Sequence, residues 1–150
     1  MRLTAHTDYA LRTLMYLAVR PERAATIAEI ATTYSISEAH LTKIVHQLGL
    51  SGEIATTRGR GGGLRLGKSA ETINLGLLVR RTEPDMALVA CFGGAGGCAI
   101  DGACALSGAL REALDAFLAV LDRYSLADLV APRQRLAALL HLDPPEREYV

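Results

Sequence analysis

The fold is decided by residues 26–67, which read TIAEIATTYSISEAHLTKIVHQLGLSGEIATTRGRGGGLRLG. Thr26 followed by Glu29 is a capping-box pattern, so a short helix begins directly after Thr26. A second short helix is predicted over residues 38–48, because its apolar residues fall on one face. Ser37 is its expected N-cap. Two short helices joined by a tight turn are typical of a helix-turn-helix.

A glycine-rich stretch follows these two helices. Residues 53–57 and 63–66 are short candidate strands, and between them lies a tip that carries Arg58 and Arg60 among glycines. Two short flanks around such a tip predict a β-hairpin over residues 52–67. A hairpin directly after the second helix of a helix-turn-helix is the wing of a winged helix.

Outward from this stretch, apolar periodicity predicts further helices over residues 7–19, 71–82 and 106–129. Thr7 is the expected cap of the first, and Gly49 is the expected glycine after the helix over residues 38–48. The apolar seam of the longest helix steps by three and four residues, as in a coiled coil. Its members are Leu106, Leu110, Leu114, Phe117, Leu121 and Tyr124.

Such a long apolar stripe on a small chain needs a partner surface, and a homodimer is the simplest one. The predicted fold class is therefore mainly α, with a winged helix-turn-helix DNA-binding domain, a small β-hairpin wing and a long dimerisation helix. We expect a DNA-binding domain over residues 1–82, a cysteine-bearing loop over 83–105, and the dimerisation helix with a C-terminal helical segment over 106–142. Residues 143–150 are expected to form a flexible tail.

The charges are divided unequally along a chain whose formal net charge is zero. Residues 1–80 contain 10 Lys or Arg against 6 Asp or Glu, whereas residues 81–150 contain 6 against 10. A basic first half and an acidic second half favour a nucleic-acid contact at one end of the molecule.

The predicted DNA contacts lie on the polar face of the second short helix and on the wing. The helix would occupy the major groove, and the wing arginines would enter a minor groove. Each of these residues, taken singly, could equally be an ordinary solvated residue. The set is Ser37, His40, Thr42, Lys43, His46, Gln47, Arg58 and Arg60.

Three cysteines, Cys91, Cys98 and Cys104, are separated by gaps of six and five residues that are rich in glycine. No signal-peptide pattern and no long apolar run are present, so we expect a cytoplasmic protein without a membrane span. Three cysteines in a cytoplasmic chain favour metal ligands or redox groups over a disulfide framework. Three thiolates on a pliable loop suit a soft metal or an iron–sulfur cluster.

A four-coordinate site needs one more ligand than the cysteines supply. A structural zinc site, free thiols and a disulfide are the alternatives to a cluster. A small redox enzyme is disfavoured because no nucleotide-binding loop, HExxH pattern or paired acid–base motif is present. The candidates for the fourth ligand are Asp8, His6, Asp101, Ser107, a histidine of the second short helix, or solvent.

Four segments together resemble the NsrR/IscR-type family of winged-helix regulators. They are residues 1–12, the helix segment 37–49, the wing tip 58–63 and the three-cysteine loop, and the resemblance extends over nearly the whole chain. It implies a homodimeric repressor that binds a palindromic DNA operator and holds an iron–sulfur cluster on Cys91, Cys98 and Cys104. A four-iron cluster (4Fe–4S) is favoured over a two-iron one (2Fe–2S).

Within that family, the chain is most similar to the branch of nitric-oxide-sensing repressors. Asp8 stands where that branch supplies an aspartate ligand from the partner subunit, and Ser107 stands where the IscR branch has a histidine ligand. The resemblance therefore implies that nitric oxide displaces the ligands, breaks the connection through Asp8 and lifts repression. A redox or cluster-status sensor of the same fold is the alternative. The first cysteine gap departs from the family, where five residues are common.

Overall fold

The computed structural model describes residues 2–94, 98–100 and 102–142, and the predicted flexible tail lies outside these residues. The architecture is mainly helical with one antiparallel hairpin, which confirms the predicted fold class. The helices are α1 (Ala5–Val19), α2 (Ile27–Tyr34), α3 (Glu38–Leu50), α4 (Leu75–Thr82), α5 (Ala105–Leu121), α6 (Leu126–Leu129) and α7 (Arg133–Leu139). The strands are β1 (Ile54–Thr57) and β2 (Gly63–Leu66), and 3-10 turns lie at Ala70–Thr72 and Ala90–Gly93.

The core surrounds α1, which contacts α3, α4, α6, α7 and β2. Leu14 of α1 and Leu41 of α3 are fully buried, and each contributes about 1.5–3 kcal/mol of hydrophobic stabilisation. Leu126 and Val130 lie in this same cluster. The C-terminal segment beyond α5 therefore packs against α1.

The first helix begins earlier than predicted. Thr7 is not its cap, because α1 starts at Ala5 and the side chain of Thr4 accepts the backbone N–H of Thr7 at 3.3 Å. Both threonines are adequate caps by residue type. Thr4 takes the role because Glu83 accepts hydrogen bonds from its backbone N–H and its hydroxyl, at 2.8 and 3.0 Å.

The capping box at the start of α2 is confirmed. Thr26 donates its backbone N–H to the Glu29 carboxylate at 2.7 Å, and Glu29 donates its own N–H to the Thr26 hydroxyl at 3.1 Å. Ser37 caps α3 as predicted, with its hydroxyl accepting from the backbone N–H of His40 at 3.2 Å. The N-termini of both helices of the helix-turn-helix are therefore fixed by local side chains.

The end of α3 was predicted wrongly. Gly49 is not the residue after the helix, because it lies inside α3, which continues to Leu50. The carbonyl of Gln47 accepts from Ser51 at 3.1 Å, and the carbonyl of Leu48 accepts from Glu53 at 2.9 Å. These bonds satisfy the last turn, and the left-handed glycine that follows the helix is Gly52, with φ +80°, instead of Gly49.

The predicted wing is present. Ile54 pairs with Leu66 and Thr57 pairs with Gly63 in an antiparallel ladder. The wing is joined to the α1–α2 loop by two backbone bonds between Ala25 and Leu64, at 3.0 and 2.7 Å. Gly63 makes this approach possible, because its φ is +146° and a Cβ there would lie 2.8 Å from the carbonyl oxygen of Ala25.

The helix predicted over residues 71–82 begins later than expected. Its first part is the 3-10 turn Ala70–Thr72, and α4 starts only at Leu75, with Asn74 as its cap. The backbone N–H of Leu75 donates to the carbonyl of Tyr124 at 2.9 Å, so a long-range bond interrupts the helical ladder here.

The long helix predicted over residues 106–129 is interrupted. α5 ends at Leu121, and Ser125 starts α6 through a capping box with Asp128. Tyr124, the last residue of the predicted seam, therefore lies between the two helices. The Ser-x-x-Asp pattern that ends the seam is visible in the sequence. Among the described residues, no helix has both the length and the apolar character needed to cross a membrane.

Candidate DNA-binding surface and cysteine segment

The predicted DNA contacts are exposed, and α3 presents most of them on one helix. Ser37 lies at the N-terminus of α3, where free backbone N–H groups and the helix dipole favour a phosphate. The His40 ring lies 6.4 Å from the Tyr9 ring of α1, so it contacts the protein as well as solvent. Those exposed on α3 and the wing are His40, Thr42, Lys43, His46, Gln47, Arg58 and Arg60.

The wing has an anchor on the α1–α2 loop. Besides the Ala25–Leu64 bonds, Arg65 of β2 donates to the carbonyl of Glu22, and to that of Pro21 at 3.4 Å. This anchor consists largely of backbone groups, so the base of the hairpin is held firmly beside α1. Arg58 and Arg60 are placed at the free tip.

A second anchor of the wing is the buried carboxylate of Glu53, between α3 and β1. It accepts from Arg81 of α4 at 2.9 Å, from Lys68 at 3.4 Å and from the Ser51 hydroxyl. Burial alone would raise the pKa of Glu53, but the Ser51 hydrogen bond and the charges of Arg81 and Lys68 hold it below the ordinary value.

The end of α4 contacts several other elements through consecutive residues, and we call residues 80–83 the α4 junction. The bonds are Arg80 to Asp122 at 2.8 Å, Arg81 to Glu53 at 2.9 Å, Thr7 to Thr82 at 2.9 Å and Thr4 to Glu83 at 2.8 Å. Gly76 allows α4 to lie close to Asp122, because a Cβ at this glycine would come within 2.0 Å of the carboxylate. The last residue of this junction, Glu83, is also the first residue of the cysteine segment, as we call residues 83–104.

Asp8, the proposed fourth ligand, lies in the first turn of α1 and is half-exposed. Its carboxylate accepts from the Arg12 guanidinium at 3.0 Å. Arg12 in turn lies over the ring of Tyr34, at 5.7 Å, where α2 ends. Asp8 therefore contacts the end of α2 through Arg12, and within the part of the chain that the structure describes it belongs to no cluster of potential metal ligands.

None of the three cysteines forms a disulfide. Cys91 lies in the turn Ala90–Gly93 and is exposed, as is Cys98. Cys104 is half-buried at the start of α5, where its sulfur accepts the backbone N–H of Ser107 at 3.4 Å. Arg111 of α5 lies 4.7 Å from the centre of the Phe92 ring, a contact that holds the Cys91 turn against α5.

The chemistry of the donor set fits a soft metal or an iron–sulfur cluster, because it offers three cysteine sulfurs that are not engaged in disulfides. Among residues 2–94, 98–100 and 102–142, however, no three His, Cys, Asp or Glu side chains are gathered closely enough to hold a metal ion. Asp101, another candidate ligand, lies outside these residues. The ligand set remains a prediction from the sequence.

Sequence reasoning missed Glu53, Arg81 and Glu83. Glu83 lies 79 residues from Thr4, and Arg81 lies far along the chain from Glu53, so no local pattern relates these partners. Of these three residues, Glu53 alone could have been suspected from the sequence. It stands next to an apolar strand, and an acidic residue that is buried there is expected to have a cationic partner.

A helix-turn-helix with an exposed polar second helix, followed by an arginine-bearing wing and a separate cysteine segment, defines a winged-helix transcription regulator. The model of the Rrf2 family, described as "Iron-dependent Transcriptional regulator", matches residues 3–132. The chain belongs to the Rrf2 family. It is a DNA-binding transcription regulator and not an enzyme, as predicted.

Relatives of the chain are named "HTH-type transcriptional regulator NsrR". The one from Bacillus subtilis is 49% identical over 95% of this chain and 99% of its own length. The one from Geobacillus kaustophilus is 50% identical over 93% of this chain and 97% of its own length. These relatives confirm the resemblance stated above.

Solved structures agree with this fold. CymR of B. subtilis, described as its global cysteine regulator, has a TM-score of 0.73 at 26% identity and covers 87% of this chain and 97% of its own. T. potens IscR also has a TM-score of 0.73, at 19% identity, and covers 91% of this chain and 90% of its own. The likeness to IscR concerns the fold alone.

Proposed function

We propose that the protein is a homodimeric repressor in which an iron–sulfur cluster senses nitric oxide and controls binding to a palindromic operator. One combined observation carries this proposal. The cysteine segment has three cysteines, and relatives named NsrR are similar to the chain over nearly its whole length. The family description as iron-dependent supports iron over zinc.

A homodimer is supported by the surface of α5. This helix has 17 residues, of which Leu118 alone is buried. Leu106 is 64% exposed and Val120 is 43% exposed, so apolar side chains remain available for a second copy. Exposed apolar surface of this kind is typical of a protein–protein contact. Two-fold symmetry would place the α3 helices of the two subunits, which are the proposed recognition helices, against the two halves of a palindrome.

In the proposed assembly, Cys91, Cys98 and Cys104 of one subunit and Asp8 of the other hold the cluster. When bound, the cluster supplies iron atoms that react with nitric oxide and release protein ligands. Asp8 would then leave the partner and regain full contact with Arg12. Because Arg12 lies over Tyr34, the exchange of partners by Asp8 would change the support of the turn between α2 and α3.

The α3 and wing residues would then lose their operator contacts. Arg58→Ala and Arg60→Ala should each weaken binding and lower the slope of log affinity against log salt by about one, because each removes one phosphate or groove contact. Gln47→Ala should instead relax the preference for particular bases with little change in the salt slope.

The decisive experiment is an anaerobic visible spectrum with iron and sulfide analysis, followed by titration with nitric oxide. DNA binding is followed with a duplex selected by the protein itself from a random pool. We expect a coloured, iron-containing protein that releases the duplex on titration. A colourless, zinc-loaded protein would overturn the proposal, and release on oxidation but not on nitric oxide would favour the redox sensor.

Two variants test the role of Asp8. Asp8→Ala removes the carboxylate, whereas Arg12→Gln breaks the same ion pair but keeps the carboxylate. We expect Asp8→Ala to change the visible spectrum of the cluster and Arg12→Gln to leave it unchanged, while both weaken the response of DNA binding to nitric oxide. If Asp8→Ala bound DNA and responded like the unmodified protein, Asp8 would not be a ligand.

A further inference from the structure

The wing has two different anchors, and only one of them is adjustable. Its anchor on the α1–α2 loop depends on the paired backbone bonds between Ala25 and Leu64. Its anchor on α4 depends on two side chains, Glu53 and Arg81, whose charged groups meet at 2.9 Å. Side-chain pairs can lengthen or break without unfolding a strand. A movement of α4 would therefore reach the wing through Glu53 and Arg81.

Glu53 is well placed to transmit such a movement. Its backbone N–H donates to Leu48 at the end of α3 at 2.9 Å, and its carbonyl accepts from Gly67 after β2 at 2.7 Å. Its side chain is 5% exposed, whereas that of Arg81 is 44% exposed. One residue thus connects the recognition helix, both ends of the wing and α4.

Because the Glu53 carboxylate is buried, the contact between the wing and α4 is sensitive to the position of Arg81. Removing one partner of a buried charge is costly, because the remaining charge loses its compensation. Lys68 and Ser51 contact the Glu53 carboxylate as well. When Arg81 moves away, these two contacts therefore keep Glu53 in place, but the contact with α4 is lost. The expected result of losing Arg81 is a displaced wing in a folded protein.

We propose that Glu53 and Arg81 are positioning residues that set the wing relative to α4, so that a shift of Arg81 changes how Arg58 and Arg60 contact DNA. This inference rests on the proposed function for the origin of the shift, in the cysteine segment that follows the junction. The effect of the ion pair on DNA affinity does not depend on what the cysteines bind.

Arg81→Gln tests the pair, and Arg80→Gln is its matched control. Both remove one positive charge from adjacent, similarly exposed positions of α4, but Arg80 pairs with Asp122 instead of with the wing. With the full chain and the selected duplex, we expect Arg81→Gln to bind about fivefold more weakly, and Arg80→Gln to change binding less than about twofold.

Two further readouts separate positioning from a general loss of stability. Glu53→Gln and the double variant complete a cycle, in which the double variant should bind no more weakly than either single one. Amide hydrogen exchange should become faster at Gly67 in Arg81→Gln, with no change in α2. Arg81→Lys should restore part of the affinity. Equal binding by Arg81→Gln and Arg80→Gln, or strictly additive effects in the cycle, would overturn the proposal.

The nitric oxide response distinguishes this inference from the proposed function. If the protein shows no such response, but Arg81→Gln still binds weakly and the cycle is non-additive, the sensor proposal fails and the Glu53–Arg81 connection stands. If the response is intact and Arg81→Gln responds and binds as Arg80→Gln does, the connection alone fails.

Discussion

The helix-turn-helix region and the cysteine segment are built in opposite ways. Across residues 2–82, helices begin with side-chain caps and bury residues such as Leu14 and Leu41 completely. Across residues 83–104, none of the described residues is buried. The helix-turn-helix region is therefore stabilised by its own packing, whereas the described residues of the cysteine segment contribute no buried side chain to the core.

The largest expected effect concerns the core of the first region. Leu41→Ala should lower the free energy of unfolding by about 3 kcal/mol, because it removes a fully buried side chain and leaves a cavity. Urea unfolding measures the change. Leu50→Ala is the control on the same helix, and since Leu50 is 77% exposed it should change stability by less than about 0.5 kcal/mol. Equal losses would contradict the assignment of the core.

A smaller effect is expected at the cap of α2. Thr26→Ala removes the hydroxyl that accepts from Glu29, and should lower the free energy of unfolding by about 1 kcal/mol. Thr32→Ala, at an exposed position within α2, should be neutral or slightly stabilising because alanine is the better helix former. The same urea titration compares them, and a destabilisation confined to Thr32→Ala would refute the capping box.

These caps explain how much of the fold could be predicted. The start of α2 was predictable because Thr26 and Glu29 bond to each other within one turn. The start of α1 was not, because Glu83, distant in sequence, selects Thr4 over Thr7. The break after α5 was visible in the pattern of Ser125 and Asp128, but the continuing apolar steps obscured it.

The candidate site divides in the same manner. Exposure of the α3 and wing residues follows from helical and hairpin periodicity, so the sequence was sufficient to place them. The cysteines were recognisable by type and spacing, but their arrangement depends on contacts that no local pattern specifies. The pair formed by Glu53 and Arg81 was unpredictable for the same reason, since it joins two elements that meet only in the folded chain.

The acid stability of the protein tests the electrostatics of the first region. The folded-state pKa of Glu53 lies below its ordinary value, so the carboxylate stabilises the fold above the unfolded pKa of about 4.3 and loses this contribution as pH falls through the lower folded pKa. We expect Glu53→Gln to show a smaller loss of unfolding free energy between pH 6 and pH 3 than the unmodified protein. Parallel curves would show that the pKa of Glu53 does not differ between the folded and unfolded states, which would contradict the lowered pKa.

The smallest expected effect has the opposite sign and lies in the cysteine segment. Cys104 is the N-cap of α5, and its sulfur accepts from Ser107 at 3.4 Å. Sulfur is a weak acceptor, whereas serine is among the preferred caps. In protein without metal, Cys104→Ser should therefore raise the free energy of unfolding by about 0.5 kcal/mol, even though it removes a predicted ligand.

Cys98→Ser is the matched control, because Cys98 is exposed and caps no helix. It should leave the stability of the metal-free protein unchanged, and both variants should lose iron when purified anaerobically. A destabilised, metal-free Cys104→Ser would mean that the thiol has a structural role of its own. A Cys104→Ser variant that is more stable but no longer holds iron would show that cysteine at position 104 lowers the stability of α5. Such a cost is expected of a residue that is retained for metal ligation.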